Sequence, residues 1–254
     1  MTIFDILLII FLFFVGLFGG LISIMIGLKF PIKKKNLNNI CDYCDEAYDF
    51  KEMIPVFSYF MTDGKCAHCK NKLNKYYPLL EVICGVLFSL SYILYGLSYE
   101  MIVMIIITIL SVIIFVSDFK YYIINDSPLI VCSIIILLFK FVVFGLKTFV
   151  LSFISGLALF GFLFVMRLIG NALFKTDTLG GGDIKLAFVF GVTLGIRLSI
   201  VSVILGALLA FPYAIYVGIS KVKKEIPFGP FLVSGFYIVF LFMDSIKFFL
   251  ENLF

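Results

Sequence analysis

The sequence predicts an all-α membrane protein with about eight transmembrane helices and a small cytoplasmic zinc-binding loop domain. One observation behind this prediction is composition, since 63% of the 254 residues are hydrophobic and only 14% are charged. The mean hydropathy is +1.17, and a soluble chain of this length could not bury so much apolar surface. The other observation is a polar stretch, residues 29–78, that contains two closely spaced cysteine pairs. The chain therefore divides into membrane segments and one loop domain.

The membrane segments follow from the length of each apolar run. A bilayer crossing takes roughly 20 apolar residues, and it must be helical because the backbone has to satisfy its own hydrogen bonds in lipid. Eight segments fit, although the sixth is short: 3–28, 79–97, 101–117, 128–144, 149–169, 183–196, 198–219 and 230–250. The sequence thus predicts a first transmembrane helix at 1–28, a zinc-binding module at 29–78 and a membrane domain at 79–254.

The basic residues predict how the chain is oriented. Nine of the 20 lysines and arginines lie between Lys29 and Lys75. Because loops rich in these residues stay in the cytoplasm, we expect residues 29–78 to be cytoplasmic and both termini to lie outside. This would make the chain a multi-pass protein of the cytoplasmic (inner) membrane. The net charge of +4 is then explained by basic residues that flank the membrane segments on the cytoplasmic side of the lipid bilayer. Nothing in the sequence suggests binding to nucleic acid.

The loop module contains the pairs Cys41-x-x-Cys44 and Cys66-x-x-Cys69. Two such pairs supply the four thiolates of a tetrahedral zinc site, and their separation is close to that of zinc ribbons. Iron or redox chemistry is an alternative, while stable disulfides are disfavoured in a reducing cytoplasm. A site with four thiolates has no open coordination position, so the zinc would be structural.

The histidine content limits the chemistry that the chain can perform. His68 is the only histidine, and it lies inside the cysteine module. A serine or cysteine hydrolase needs an imidazole base beside its nucleophile, and a histidine-bound catalytic zinc needs several imidazoles. Carboxylates are therefore the candidate catalytic groups.

Glu81 is one acid at the start of an apolar segment, where we expect its negative charge to stabilise the helix start.

Two other acids, Asp118 and Asp183, are predicted to lie at the cytoplasmic ends of their helices. Asp183 follows three glycines, Gly180, Gly181 and Gly182, which permit close backbone approach and unusual dihedral angles. Two neighbouring carboxylates share a proton, so that one activates water and the other polarises a carbonyl group, as in aspartic proteases. A helix start favours the ionised form of Asp183, whereas a helix end favours the protonated form of Asp118.

An ordered series of motifs resembles the bacterial type IV prepilin peptidase family, the intramembrane aspartic proteases with a glycine-x-glycine-aspartate signature. The motifs are IPVFSY at 54–59, GKC at 64–66, YPLLE at 77–81, SD at 117–118 with IND at 124–126, GGDIKL at 181–186 and IPFGPF at 226–231. The resemblance spans residues 20–235.

The resemblance implies an eight-helix inner-membrane enzyme that cuts the basic leader from prepilins and pseudopilins on the cytoplasmic side. Asp118 and Asp183 match the catalytic pair. Many members also methylate the new N-terminus with S-adenosylmethionine, an activity tied to the zinc loop, and Gly64 and Glu81 are candidates for binding this cofactor. The remaining candidates are expected to line the active site: Gly180, Gly181, Gly182, Lys185, Asp126, Pro227, Gly229 and Pro230.

Two alternatives to a bifunctional peptidase stay open. In the first, the enzyme is only a protease and the zinc loop is a scaffold or substrate clamp. Leu21 and Ile24 favour this alternative, because the resembled family usually has serine and asparagine there. In the second, the chain is a non-enzymatic membrane assembly component. A small carrier is another form of this alternative, but carriers tend to place charge in mid-helix around a path, whereas these acids cluster at one membrane face.

Overall fold

A computed structural model describes residues 2–29, 41, 43–44, 53–219 and 226–253 of the chain. These residues are mostly helical, with one isolated antiparallel bridge between Lys65 and Lys72. The helices are α1 (Ile3–Lys29), α2 (Phe57–Met61), α3 (Tyr76–Tyr95), α4 (Tyr99–Tyr121), α5 (Asp126–Phe174), α6 (Gly181–Leu194), α7 (Ile196–Ile219), α8 (Gly229–Leu241) and α9 (Met243–Leu253). Much of the module at 29–78 and most of the loop at 220–229 lie outside the described residues.

The chain forms two compact units, which are Met1–Lys120 and Tyr121–Phe254. The first unit contains α1 to α3, nearly all of α4 and the cysteine pairs. The second contains α5 to α9. Each unit is described by itself below.

The helices confirm an all-α, multi-pass membrane protein. Among the described residues, five helices are long and apolar enough to cross a bilayer, namely α1, α3, α4, α5 and α7. A sixth crossing results if α8 and α9, which meet at an angle of 79°, form one bent span. This number is smaller than the eight expected for two reasons: α6 has only 14 residues, and α5 joins two of the expected crossings.

The length of α5 explains that second difference. Its 49 residues would extend for about 74 Å at 1.5 Å per residue, whereas a bilayer core is about 30 Å thick. The helix is broken at Gly145, whose φ of 81° and ψ of 179° are not helical. The parts before and after Gly145 cover the segments expected at 128–144 and 149–169. Glycine suits this position because other residues rarely adopt such a positive φ.

In the first unit, α1 packs on α3 through small residues. A Cβ atom on Gly16 would lie 2.7 Å from the Cα atom of Gly85, and one on Gly20 would lie 2.8 Å from the Cα atom of Glu81. Such close backbone approach is a common way to associate helices in membranes, where van der Waals packing replaces the hydrophobic effect. Further along α1, Gly27 packs in the same way on α4, against the carbonyl oxygen of Ile113.

In the second unit, a lysine inside the membrane segment joins α5 to α6. The side-chain nitrogen of Lys140 donates to the carbonyl oxygens of Val192 (2.7 Å) and Thr193 (3.0 Å) at the end of α6. It also donates to the Ser152 hydroxyl (2.9 Å), which lies beyond the break in α5. The last carbonyl groups of a helix have no partner within it, so a cation there is doubly favourable. Lys140 therefore ties both parts of α5 to α6.

Candidate active site and metal centre

The four cysteines of the loop module come together in the first unit, as predicted. The Sγ atoms of Cys41 and Cys69 are 3.5 Å apart, those of Cys44 and Cys66 are 3.6 Å apart, and all four lie within 4.8 Å of one another. A tetrahedral zinc ion with bonds of about 2.3 Å places its sulfur ligands about 3.8 Å apart. The cluster therefore has the dimensions of a four-thiolate metal site.

The thiols themselves differ in acidity. Burial raises the pKa of the Cys41 thiol to about 12, whereas a backbone hydrogen bond from Asn71 lowers the pKa of the Cys69 thiol to about 7. Burial also raises the pKa of the Cys66 thiol. A metal ion binds such thiols as thiolates, so metal binding to this cluster would release protons. The remaining cysteines, Cys84 and Cys132, are buried in helices, as expected for small apolar residues.

Glu81 has a different position from the one expected. It lies in the second turn of α3, because the helix begins at Tyr76. There the Asn74 side chain accepts the Tyr76 N–H over 3.1 Å, and Pro78 occupies the first turn, which suits a residue without a backbone N–H. Glu81 is buried and accepts the backbone N–H of Val56 over 2.6 Å. Its carboxylate therefore fixes the 54–57 turn to α3 and does not cap the helix.

Gly64 also has a local structural role in the first unit. Its φ is 66°, and a Cβ atom there would lie 2.8 Å from the hydroxyl oxygen of Tyr59. The Gly64 N–H donates to the Tyr59 carbonyl over 2.8 Å, and the Gly64 carbonyl accepts the Leu73 N–H at the same distance. Gly64 thus closes the turn that leads into Cys66.

The two candidate catalytic acids lie in different units. Asp118 is buried in the last turn of α4, which extends to Tyr121 and so includes the acid that we expected just beyond its end. Asp183 is buried in the first turn of α6. The pairing of Asp118 with Asp183 stays a prediction.

The glycines before Asp183 are needed for space rather than for unusual dihedral angles. Gly180 has an ordinary extended conformation (φ −63°, ψ 139°), and α6 begins at Gly181. A Cβ atom on Gly180 would lie 2.6 Å from an Asp183 carboxylate oxygen, and one on Gly182 would lie 2.6 Å from the Cβ atom of Ile124. The carboxylate therefore folds back over Gly180, and the backbone at Gly182 contacts Ile124 directly.

Asp126 and Lys185 form an ion pair across the start of this helix. The Lys185 side-chain nitrogen donates to both carboxylate oxygens of Asp126, over 2.7 and 2.6 Å. Asp126 is in the first turn of α5 and Lys185 is the fifth residue of α6. The pair joins two residues that we expected only to line the site.

A polar network that sequence reasoning missed holds the loop before the glycines. The Asn171 side chain accepts both the N–H and the hydroxyl of Thr178 over 2.9 Å, and it donates to Asp177 over 3.1 Å. Arg167 also donates to Asp177, over 3.2 Å. One Arg167 nitrogen would lie 3.2 Å from a Cβ atom on Gly181, so this guanidinium borders the glycine turn. The sequence signal for this network is the occurrence of Arg167 and Asn171 close together at the end of the apolar run that begins at residue 149.

The late loop residues that we expected to line the site lie at the start of α8. Pro227, Gly229 and Pro230 are buried, and α8 begins at Gly229 with Pro230 as its second residue. Proline suits this place because the first helical N–H groups have no partner within the helix.

Together, these features define a multi-pass membrane protein. One unit contains a four-cysteine cluster that could hold a metal ion, and the other contains a glycine turn that carries an acid. Two protein-family models match the chain. Residues 14–95 match the bacterial peptidase A24 N-terminal domain, and residues 104–215 match the type IV leader peptidase family.

Comparison with known proteins agrees with this assignment. The prepilin leader peptidase/N-methyltransferase of Bacillus subtilis is 27% identical to this chain, over 92% of this chain and 94% of that protein. The protein of the same name from Vibrio cholerae is 28% identical, over 80% of each chain. The one from Neisseria gonorrhoeae is 30% identical, over 82% of this chain and 72% of that protein. This chain belongs to the type IV leader peptidase family. No solved structure matches it.

Proposed function

We propose that this protein is a prepilin peptidase that removes the leader of type IV prepilins and pseudopilins and then methylates the new N-terminus. The observation that carries the proposal is the match of 92% of the chain to a protein named prepilin leader peptidase/N-methyltransferase. This chain also matches the two family domains in order. The enzyme would lie in the cytoplasmic (inner) membrane with its active site facing the cytoplasm. The bias of lysine and arginine toward residues 29–75 supports this orientation.

Asp118 and Asp183 would act as an aspartic dyad. Asp183 is in the first turn of α6, where the helix dipole favours its ionised form, and Asp118 is in the last turn of α4, where the dipole favours its protonated form. The ionised carboxylate removes a proton from water as the water oxygen attacks the scissile carbonyl carbon. The protonated carboxyl group donates its proton to the carbonyl oxygen. Proton transfer to the amide nitrogen then breaks the C–N bond and releases the leader.

The residues around that dyad would shape the substrate path. Gly180, Gly181 and Gly182 would border this path with their backbone, and Gly180 leaves the space that the Asp183 carboxylate occupies. The starts of α5, α6 and α8 contribute the other candidates, which are Asp126, Lys185, Pro227, Gly229 and Pro230.

Cys41, Cys44, Cys66 and Cys69 would hold a structural zinc ion. Their sulfur separations fit a tetrahedral thiolate site, and four protein ligands leave no coordination position for a reacting group. The zinc would stabilise the module at 29–78, which has too few residues for a large apolar core. The membrane domain at 79–254 would then carry the peptidase.

S-adenosylmethionine would supply an activated methyl group for the N-terminal amine. Gly64 and Glu81 would contribute to its site through the backbone that they order. Gly64 closes the turn before Cys66, and Glu81 fixes the turn at Val56. A methyl-donor site in this unit would gain from proximity, because cleavage leaves the new amine at the same membrane face.

The test uses the purified full-length protein in detergent, a prepilin and labelled S-adenosylmethionine. Mass spectrometry of the product should show loss of the leader and addition of one methyl group. Asp118→Asn and Asp183→Asn should each abolish cleavage, since acid–base assistance alone contributes roughly 100- to 10,000-fold. Asp244→Asn is the matched control, because Asp244 is an exposed acid of α9.

The outcomes separate the two activities. Uncut prepilin with the wild-type protein, under conditions where a known prepilin peptidase cuts it, would overturn the proposal. Cleavage that survives in either dyad variant would show that the acids are wrongly assigned. Cleaved but unmethylated product would leave a protease without methyltransferase activity.

A further inference from the structure

The turn that carries Asp183 is attached to residues 124–126 at two points, one on each side of the acid. Before Asp183, the backbone at Gly182 is in contact with Ile124. After it, Lys185 pairs with both carboxylate oxygens of Asp126. The first turn of α6 is therefore bracketed by residues from the start of α5.

The start of α5 is itself well anchored. Asn125 caps the helix by accepting the N–H of Ser127 over 3.3 Å, and Ile124 is buried. Asp126 is in the first turn, where the helix dipole stabilises its negative charge. The carboxylate that receives Lys185 is thus held by a capped helix.

The exposure of the ion pair limits what it can contribute to global stability. The side chains of Lys185 and Asp126 are 46% and 53% exposed. Exposed pairs contribute only about 0–1 kcal/mol to folding, because water screens them and ordering two side chains costs entropy. Any large effect of breaking this pair would therefore have to come from local geometry.

Local geometry is what the pair can control. Lys185 lies two residues after Asp183, and residues at that spacing do not share a helix face. Lys185 is exposed while Asp183 is buried, so the cation is held away from the catalytic carboxylate. The pair can therefore fix the axial and rotational position of the first turn without direct contact with Asp183.

We propose that Asp126 and Lys185 form a clamp that positions Asp183 for cleavage. Both are positioning residues in this assignment, and neither contacts the scissile bond. The inference rests on the proposed function, since it takes Asp183 as a catalytic carboxylate. It also assigns a role to Asp126, which the sequence predicted only to line the active site.

The test is a charge-swap series measured on the full-length enzyme with a prepilin substrate. Asp126→Asn and Lys185→Gln should each lower kcat by about 10- to 100-fold with little change in KM, because small displacements of a catalytic group cost this much. The double variant Asp126→Lys with Lys185→Asp restores the attraction with reversed charges. It should recover part of the lost kcat, because the helix dipole opposes a lysine in the first turn of α5. Asp244→Asn and Lys247→Gln, which break an exposed pair in α9, should leave kcat unchanged.

A second measurement does not depend on cleavage. In an Asp183→Cys background, the rate at which a water-soluble maleimide labels residue 183 reports its accessibility. Adding Asp126→Asn should raise this rate, and the charge-swapped pair should return it toward the starting value. Peptide-level mass spectrometry distinguishes residue 183 from the native cysteines.

Three results are decisive. Single variants with wild-type kcat and unchanged labelling would overturn the clamp. A charge-swapped variant that is no better than either single variant would also overturn it, because Asp126 or Lys185 would then act through its own chemistry. A wild-type protein that never cuts prepilin would overturn the proposed function alone, since the labelling series would still show whether the clamp exists.

Discussion

Glu81 and Val56 are joined by a hydrogen bond of 2.6 Å, in which the Val56 backbone N–H donates to the Glu81 carboxylate. Val56 has a φ of 62°, in the left-handed region that a β-branched residue rarely adopts. Such a conformation persists only where the surroundings hold it, at a cost of about 1–3 kcal/mol. A buried acid of α3 thus holds a strained turn of the loop module in place.

Loss of the acceptor at residue 81 should loosen that turn. Glu81→Leu leaves the Val56 N–H without its partner, which costs about 1–3 kcal/mol, whereas Glu81→Gln keeps a carbonyl acceptor of the same length. Limited proteolysis should therefore cut between residues 54 and 64 faster in Glu81→Leu than in Glu81→Gln. Equal cutting of the two variants would mean that the acceptor does not hold the turn.

Metal content tests the cysteine centre. The purified protein should contain about one zinc per chain, because four thiolates complete a tetrahedral site. Cys66→Ser should remove most of it, and Cys84→Ser should not, since Cys84 is buried in α3 away from the cluster. Elemental analysis of the two variants gives the answer, and a Cys66→Ser protein with full zinc content would refute these ligands.

The space beside Gly182 can be tested with single methyl groups. Gly182→Ala would bring a Cβ atom within 2.6 Å of the Ile124 Cβ atom, so α6 would have to shift, and cleavage should fall about tenfold or more. The matched change Gly161→Ala meets nothing within 4 Å and should be tolerated. Ile124→Gly combined with Gly182→Ala removes the contacted Cβ atom and should recover part of the activity. A Gly182→Ala enzyme as fast as wild type would show that this contact is not needed.

Lys140 gives a prediction about stability. Lys140→Met should lower the thermal stability of the protein in detergent, because the Val192 and Thr193 carbonyl groups lose their donor, at about 1–3 kcal/mol for each buried group left unsatisfied. Lys140→Arg retains a donor and should lose less. Lys147→Met is the control, since Lys147 is exposed. Melting curves that agree for Lys140→Met and Lys147→Met would contradict this role.

The features that could be predicted from the sequence depend on local patterns. Long apolar runs predicted the membrane helices, because each run must satisfy its own backbone in lipid. The spacing of Cys41, Cys44, Cys66 and Cys69 predicted the cluster, because two closely spaced thiolate pairs are typical of a metal site.

The features that escaped prediction depend on long-range contacts or on a single backbone angle. The acceptor role of Glu81 depends on Val56, 25 residues away, and the pairing of Asp126 with Lys185 spans 59 residues. No hydropathy pattern contains such partners. The break at Gly145 separates two expected crossings within α5 without a loop between them, because the non-helical turn is a single residue wide.

Lys140 also has a consequence for how the protein is made. It lies 14 residues, or about 21 Å, along α5, and a lysine at such a depth opposes partition into lipid until it finds partners. Val192 and Thr193 are 52 and 53 residues downstream, so at about 5–20 residues per second the ribosome delivers them several seconds later. Of the three partners of Lys140, only Ser152 is available before α6 is synthesised, so we expect stable insertion of the first part of α5 to depend on α6.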